Sequence, residues 1–346
     1  MSGARLTRAA AGAAVALGID ALGRRRLRGR LLIVCYHGVV DAGESPHWLH
    51  ITRRAFARQL EHRARHFDCR PLDDALAALA AGTLARPTAC VTFDDGYRNN
   101  RTVALPELQR VGVPATIYLA TGLLGGAGWL WSTRLERAFA AAPPDADWAA
   151  VRAAALDGPA PDDADAATLA ATLRAADAPR ARTAKAAVEY LKLLPQADRR
   201  AREARLHEAL RAAPDDDFGD YALLTWDEVR AMDAAGLVTF GAHTVHHEIV
   251  RRLDDAALAR EIGDSVAAVA AHVARPSRTF AYPNGRAQDF DARAERVLRD
   301  AGVTAAVSTI GGVNAADTPP FALRRLVVGP ALSPAAFRLR AAGLRR

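Results

Sequence analysis

Asp94 and Asp95 stand side by side at the end of the apolar run "CVTF" and are followed at once by Gly96. Adjacent carboxylates repel, so a buried strand that ends in two of them needs a positive partner. A divalent ion meets that need: one aspartate coordinates it, while its neighbour, pointing elsewhere, stays free as a general base for the water that the ion activates. More donors lie in "GAHTVHHEI", residues 241–249, which holds His243, His246 and His247. Two neutral imidazoles with three residues between them reach one ion from a turn as they do from a helix. With one carboxylate they make a three-ligand site that leaves positions open for water and substrate, whereas a structural zinc site is closed by a fourth protein ligand. His37 after "LLIVCY", and Tyr282, Pro283, Asn284 and Gly285 in "AYPNG", follow further apolar runs. No serine or cysteine nucleophile with an adjacent base is recognisable, which favours direct attack by water without an acyl-enzyme.

These groups share a rim only if the runs that precede them are parallel strands. The segments 31–36, 88–93, 114–120, 237–243, 278–282, 304–309 and 321–328 are short apolar runs that read as buried strands. Amphipathic helices alternate with them: 53–67 capped by Thr52, 72–81, 103–112 despite Pro106, 226–235 capped by Thr225 and ended by Gly236, 255–274 and 289–301. Repeated strand–helix units need crossover connections and hence parallel strands. The predicted fold is α/β, a deformed (β/α) barrel of about seven parallel strands, with functional groups at the carboxyl ends of the strands. No Gly-rich dinucleotide fingerprint follows an early strand. The alternation stops over 126–222, which reads as a helical insertion with helices near 180–194 and 196–213 and a flexible Pro/Asp/Ala-rich part. The catalytic domain is thus expected over 31–330, flanked by a basic N-terminal segment, 1–30, and a basic C-terminal tail, 331–346.

The 346 residues carry a formal charge of +7, half are hydrophobic, and no apolar stretch is long enough to span a bilayer. Cys35, Cys69 and Cys90 are odd in number and sit in or beside apolar segments, so they read as small core residues, with a lean toward a reducing compartment. The first thirty residues have a basic start and an alanine-rich middle, but Asp20 and an arginine cluster break the signal-peptide pattern. A basic helix on an anionic membrane surface, with Arg24, Arg25, Arg26, Arg28 and Arg30 meeting lipid phosphates, is the sharper alternative to a merely solvated face. Nucleic acid is not an expected partner, since no binding motif is present and no aromatics interleave the basic residues. A cytoplasmic or inner-membrane-associated location is favoured, with the cell envelope and the exterior left open.

"TFDDG", then "HTVHH" read as H-[ST]-x-x-H, then "FAYPNG" resemble the polysaccharide deacetylases, the NodB-homology or carbohydrate esterase family 4 group, over roughly 30–125 and 222–330. The resemblance implies a deformed barrel that hydrolyses an N-acetyl group on an amino sugar or its polymer. It implies that Asp94 is the catalytic base, and that Asp95, His243 and His247 hold one divalent ion, zinc or a similar metal. Tyr282, Pro283 and Asn284 would shape the acetyl pocket, with the Asn284 backbone amide facing the oxyanion. The chain departs from the family pattern at Ala281, where many members have arginine, and at Asn284, where many have an aromatic. It also has no histidine after His272, where the family commonly supplies a general acid from a late strand. His37 is the expected substitute, because in a barrel the first strand lies near the last. An early strand-end histidine and "FAYP" are similar to the poly-N-acetylglucosamine branch.

Other polar residues have plainer readings. Asp227 and Glu228 fit a helix first turn, His246 points away, Thr244 bonds its own turn or orients a ligand, and Trp129, Trp131 and Trp226 pack or stack on sugar. Of Arg324 and Arg325, alternation lets at most one reach the site, to orient Asp94 or bind substrate. Two rivals stand beside the deacetylase: an amide hydrolase of a lipid-linked sugar, and a catalytically silent carbohydrate-binding protein on the same fold.

Overall fold

The structure, a computed structural model, describes residues 2–41, 50–126, 128–212 and 219–344. Helices α1 (Ser2–Ala16) and α2 (Ile19–Arg25) lead into β1 (Leu31–Tyr36). Two short strands, β2 (Val39–Val40) and β3 (Ile51–Thr52), pair with each other ahead of α3 (Arg53–His66), β4 (Asp68–Cys69) and α4 (Leu72–Ala80). Then come β5 (Thr88–Phe93), α5 (Leu105–Val111) and β6 (Ala115–Leu119). Five helices follow without a strand: α6 (Trp131–Ala141), α7 (Trp148–Leu156), α8 (Ala166–Arg174), α9 (Arg180–Leu191) and α10 (Gln196–Leu210). The alternation resumes with α11 (Trp226–Ala234), β7 (Val238–Ala242), α12 (Asp255–His272), β8 (Pro276–Ala281), α13 (Ala292–Asp300), β9 (Ala305–Val307), β10 (Leu326–Val327) and α14 (Pro334–Ala341).

Seven strands form one parallel sheet in the order β10-β1-β5-β6-β7-β8-β9, and β4 adds a short pairing to β5. Every residue of β1, β5 and β6 is buried, as the continuous apolar runs require of strands covered on both faces. The sheet curls back on itself: Leu323 N–H donates to Ala306 O and Ser308 N–H to Leu323 O, so the chain entering β10 also bonds β9. The expected strand over 321–328 keeps only Leu326–Val327 in the ladder. Arg324 N–H donates instead to Asn314 Oδ1, and Arg325 N–H to Ile310 O, which draws the run off the sheet. The predicted caps are present. Thr52 Oγ1 accepts from Ala55 N–H, and Thr225 with Glu228 forms a reciprocal capping box that satisfies two otherwise orphaned amides.

The five-helix insertion has its own apolar core, built on Leu135, Phe139, Val151, Leu173, Leu191 and Leu206, separate from the barrel core. Within it, α7 is capped by Asp147, which accepts from Ala149 and Ala150 N–H, and the Pro/Asp-rich runs on either side form turns and loops. Charge pairs tie it to the barrel: Arg199 to Glu248 at 2.6 Å, Arg252 to Asp163 at 3.5 Å and Arg286 to Glu189 at 3.9 Å.

The C-terminal tail is also structured, with α14 capped by Ser333 and packed on α1 and α2. Asp20, which breaks the leader pattern, is its anchor: the buried carboxylate pairs with Arg24 at 2.7 Å and Arg338 at 2.8 Å. Arg345 and Arg346 lie outside the described residues. No helix among the described residues is long and apolar enough to cross a membrane.

Candidate active site

The carboxyl ends of β1, β5, β7 and β8 bring His37, Asp94, Asp95, His243, His247 and Asn284 to one cavity of about 330 Å³. Backbone conformation aims them. Asp95, Thr244, His247 and Asn284 have φ of 75°, 62°, 57° and 61°, a left-handed region that side chains other than glycine rarely adopt. The reversal at Asp95 sends two sequence-adjacent carboxylates to different partners. Gly96 (φ 79°) continues the turn where a Cβ would meet Leu119 at 2.8 Å.

Asp94 is buried and clasped by Arg325, whose Nη1 and Nη2 each donate to one carboxylate oxygen at 2.7 Å. Arg325 is itself fully buried and also donates to Ser308 O at 2.7 Å. Burial alone would raise the Asp94 carboxyl, but the Arg325 charge, followed by His243, outweighs it and holds the group below the usual carboxylate range. Cys35 Sγ donates to Asp94 Oδ2 at 3.4 Å, and ligand-type atoms of Cys35, His37 and Asp94 lie within 4.8 Å of one another. Burial pushes the His37 imidazole down despite both aspartates, and its Nδ1 has no partner among the described residues.

Asp95 faces the imidazoles. Its Oδ1 lies 3.5 Å from His243 Nε2 and 3.2 Å from His247 Nε2, yet this buried oxygen has no hydrogen bond of acceptable geometry among the described residues. His243 Nδ1 lies 2.6 Å from Ala281 O; as donor there it leaves Nε2 unprotonated and turned toward Asp95. One carboxylate and two imidazoles, converging within 4.8 Å without satisfying one another, are a donor set that fits a divalent cation. Burial would raise Asp95, but His243 and His247 hold it well below the carboxylate range.

The remaining expected residues divide. Asn284 lines the cavity, and its side-chain amide donates to the buried Asp289 at 2.5 Å. Tyr282 and Pro283 do not line it. The Tyr282 ring is buried and stacks on Phe290 at 4.2 Å, because alternation along the strand turns it away from the mouth. His246 faces Glu261 at 2.7 Å, Thr244 Oγ1 accepts from Glu248 N–H within its own turn, and Trp226 stacks on His272 at 4.0 Å. Arg325, one of two ambiguous arginines in the sequence, is the one that turns inward; Arg324 is exposed.

From the sequence the insertion could be a substrate lid or a partner surface; in the structure it walls the site. Leu130, Trp131, Ser132, Thr133 and Glu136 line one side, and Val188, Glu189 and Lys192 another. Lys192 pairs with Glu189 at 2.7 Å, so this wall mixes apolar side chains with a charge pair above an acidic and imidazole-rich floor. Only a long-range pairing signal between 130–192 and the strand ends would have exposed it.

Residues 189–306 match the polysaccharide deacetylase family model. That span includes His243, His247 and Asn284 but not Asp94 or Asp95. No curated protein matches the sequence. Among solved structures the chain is similar to the Streptococcus pyogenes deacetylase PplD in complex with acetate, with TM-score 0.56, 17% identity and coverage of 89% of this chain and 96% of that one. It is similar to IcaB from Ammonifex degensii, with TM-score 0.55, 18% identity and coverage of 91% and 97%. It is also similar to a de-N-acetylase from Aggregatibacter actinomycetemcomitans, with TM-score 0.53, 14% identity and coverage of 90% and 99%. At these identities the likeness establishes the deformed barrel.

Proposed function

On the premise that the chain carries a polysaccharide deacetylase domain, we propose that it is a carbohydrate N-deacetylase that hydrolyses the acetamide of an N-acetylated amino-sugar polymer. The observation that carries this reading is the convergence, at one mouth, of an arginine-clasped carboxylate (Asp94) and a separate Asp/His/His donor set (Asp95, His243, His247). The donor set would hold one divalent ion, zinc by its nitrogen-rich composition, which when bound supplies Lewis acidity toward water and the acetyl oxygen. Asp94, ionised by its pairing with Arg325, takes the proton of the attacking water. The Asn284 backbone N–H, not its side-chain amide, would face the developing oxyanion. Since burial disfavours a resting charge on His37, the proton collected by Asp94 passes through His37 to the leaving nitrogen, which departs as the amine while acetate forms. The early strand-end His37 and the "FAYP" run support a poly-N-acetylglucosamine over a short sugar, and a wall that mixes Trp131 with Ser132, Thr133, Glu136 and Lys192 suits an extended glycan.

The test is acetate release from a panel of N-acetylated glycans by the zinc-loaded protein, beside Asp94→Asn and His243→Ala. Release by the wild type that is lost in both variants supports the reading. Glycan binding by a zinc-loaded wild type that releases no acetate would replace it with the silent binder.

A further inference from the structure

Among the described residues the large apolar side chains that stand out into solvent are Leu17, Ile19, Leu22 and Leu344, at 79, 41, 53 and 37% exposure. All four belong to the chain ends. Leu344 packs over α2, since a Cβ on Gly23 would meet it at 2.8 Å. Arg25, Arg26, Arg28 and Arg30 are exposed beside them. The acidic residue of this segment, Asp20, is buried and already paired with Arg24 and Arg338. Residues 1–30 carry seven arginines against one aspartate, and residues 331–346 four arginines and no acid, a sum of +10, while the whole chain carries +7. The rest of the molecule is therefore net negative, by 3 charges, and the positive charge is concentrated in the two terminal segments of the sequence, with Arg25, Arg26, Arg28 and Arg30 exposed among the described residues.

The topology fixes which way this face looks. α2 enters β1 at its amino end, and the cavity lies past the carboxyl ends of β1, β5, β7 and β8. The six residues of β1 separate the two by roughly 17–20 Å. We propose that the chain docks on an anionic bilayer surface through the α2–Leu344 face, leucines in the headgroup layer and arginines on lipid phosphates, with the catalytic mouth turned away from the membrane. Exposed apolar side chains rimmed by unopposed arginines are the chemistry of an interfacial anchor, and a protein partner would not need the excess of one sign. The orientation rests on the deacetylase reading only for which cavity is the mouth. It selects a glycan chain reached from the aqueous side over a sugar held in the bilayer by a lipid.

The docking is read without substrate, by co-sedimentation of the full chain with vesicles of phosphatidylcholine alone and of phosphatidylcholine with phosphatidylglycerol at low salt. Binding at least tenfold stronger to the anionic vesicles is expected, with a comparable loss in a Leu17→Glu/Leu22→Glu variant and in an Arg25→Ser/Arg26→Ser/Arg28→Ser variant, while acetate release from a soluble substrate is unchanged in both. A fluorophore placed by Leu22→Cys, in a Cys69→Ser background, should be quenched by nitroxide-labelled lipids, and one placed by Ala140→Cys on the insertion should not. No binding, equal binding to neutral vesicles, or loss of the patch into a dimer interface in solution overturns the docking. Quenching at position 140 and not at 22 overturns the orientation. Failure of deacetylation with vesicle binding intact counts against the proposed reaction alone.

Discussion

Asp94 and Asp95 illustrate how one peptide bond separates two chemical roles. The left-handed turn at Asp95 delivers one carboxylate to a guanidinium and the other to two imidazoles, so each is ionised for a different reason. Arg325→Lys keeps the charge but removes the two-pronged clasp, and kcat/KM is expected to fall about tenfold to a hundredfold. Because Asp94 loses part of what lowers its carboxyl, the acid limb of the pH profile should move to higher pH, with zinc content unchanged. A loss of rate without that movement would assign Arg325 to packing. His37→Ala should lower kcat by about 10²–10⁴ with metal still bound, as expected for removal of a proton donor; wild-type turnover in that variant would sink the assignment. The aspartates, histidines and His37 were legible because residue type and strand-end position coincide in the sequence. Arg325 was half legible, since alternation says that one of two arginines turns inward without saying which. Tyr282 was misread toward the pocket because a motif names neighbours, whereas the pleat decides which of them face the same way.

Strands, caps and helices along the barrel were readable from apolar periodicity and from Thr52 and Thr225, but how the insertion meets the barrel was not, because its contacts are long-range ion pairs. The buried Arg199–Glu248 contact sits one residue from His247. Glu248→Ala leaves Arg199 with Glu203 alone, and should destabilise the protein by about 2–4 kcal/mol while raising KM more than it lowers kcat; denaturant titration and steady-state kinetics read the two effects. The seam between α3 and α14 supplies a pH dependence. Burial first, then repulsion from His66, Arg24 and Arg338, pushes His62 down to about 4. Between that value and the ordinary histidine range near 6.5 the unfolded chain binds the extra proton, so stability rises with pH across the window and is lost as pH falls through it. After discounting for solvent screening the span is about 1–2 kcal/mol, and His62→Leu should flatten that part of a urea-midpoint profile between pH 4 and 6.5.

Taken whole, the molecule is a curled parallel sheet with a second apolar core laid over its mouth and a positively charged base beneath it. Asp95, His243 and His247 converge only in the folded arrangement, so if they hold a divalent ion as proposed, zinc at a hundredfold its dissociation constant should add about 2.7 kcal/mol of stability. Chelation should reverse the gain, and His243→Ala should abolish it; thermal melts with and without chelator measure both. One last property follows from the left-handed turns at the mouth. Asp95, Thr244, His247 and Asn284 are four of the five non-glycine residues with positive φ among the described residues, and such a conformation costs about 1 kcal/mol at each. Thr244 and Asn284 are also held by hydrogen bonds to Glu248 N–H and to buried Asp289, whereas glycine at 95 or 247 would relieve the strain and lose only groups of the proposed donor set. A lineage released from the proposed reaction would drift toward glycine at 95 and 247, becoming more heat-resistant as it fell silent, and that drift would mark a retired enzyme before any assay did.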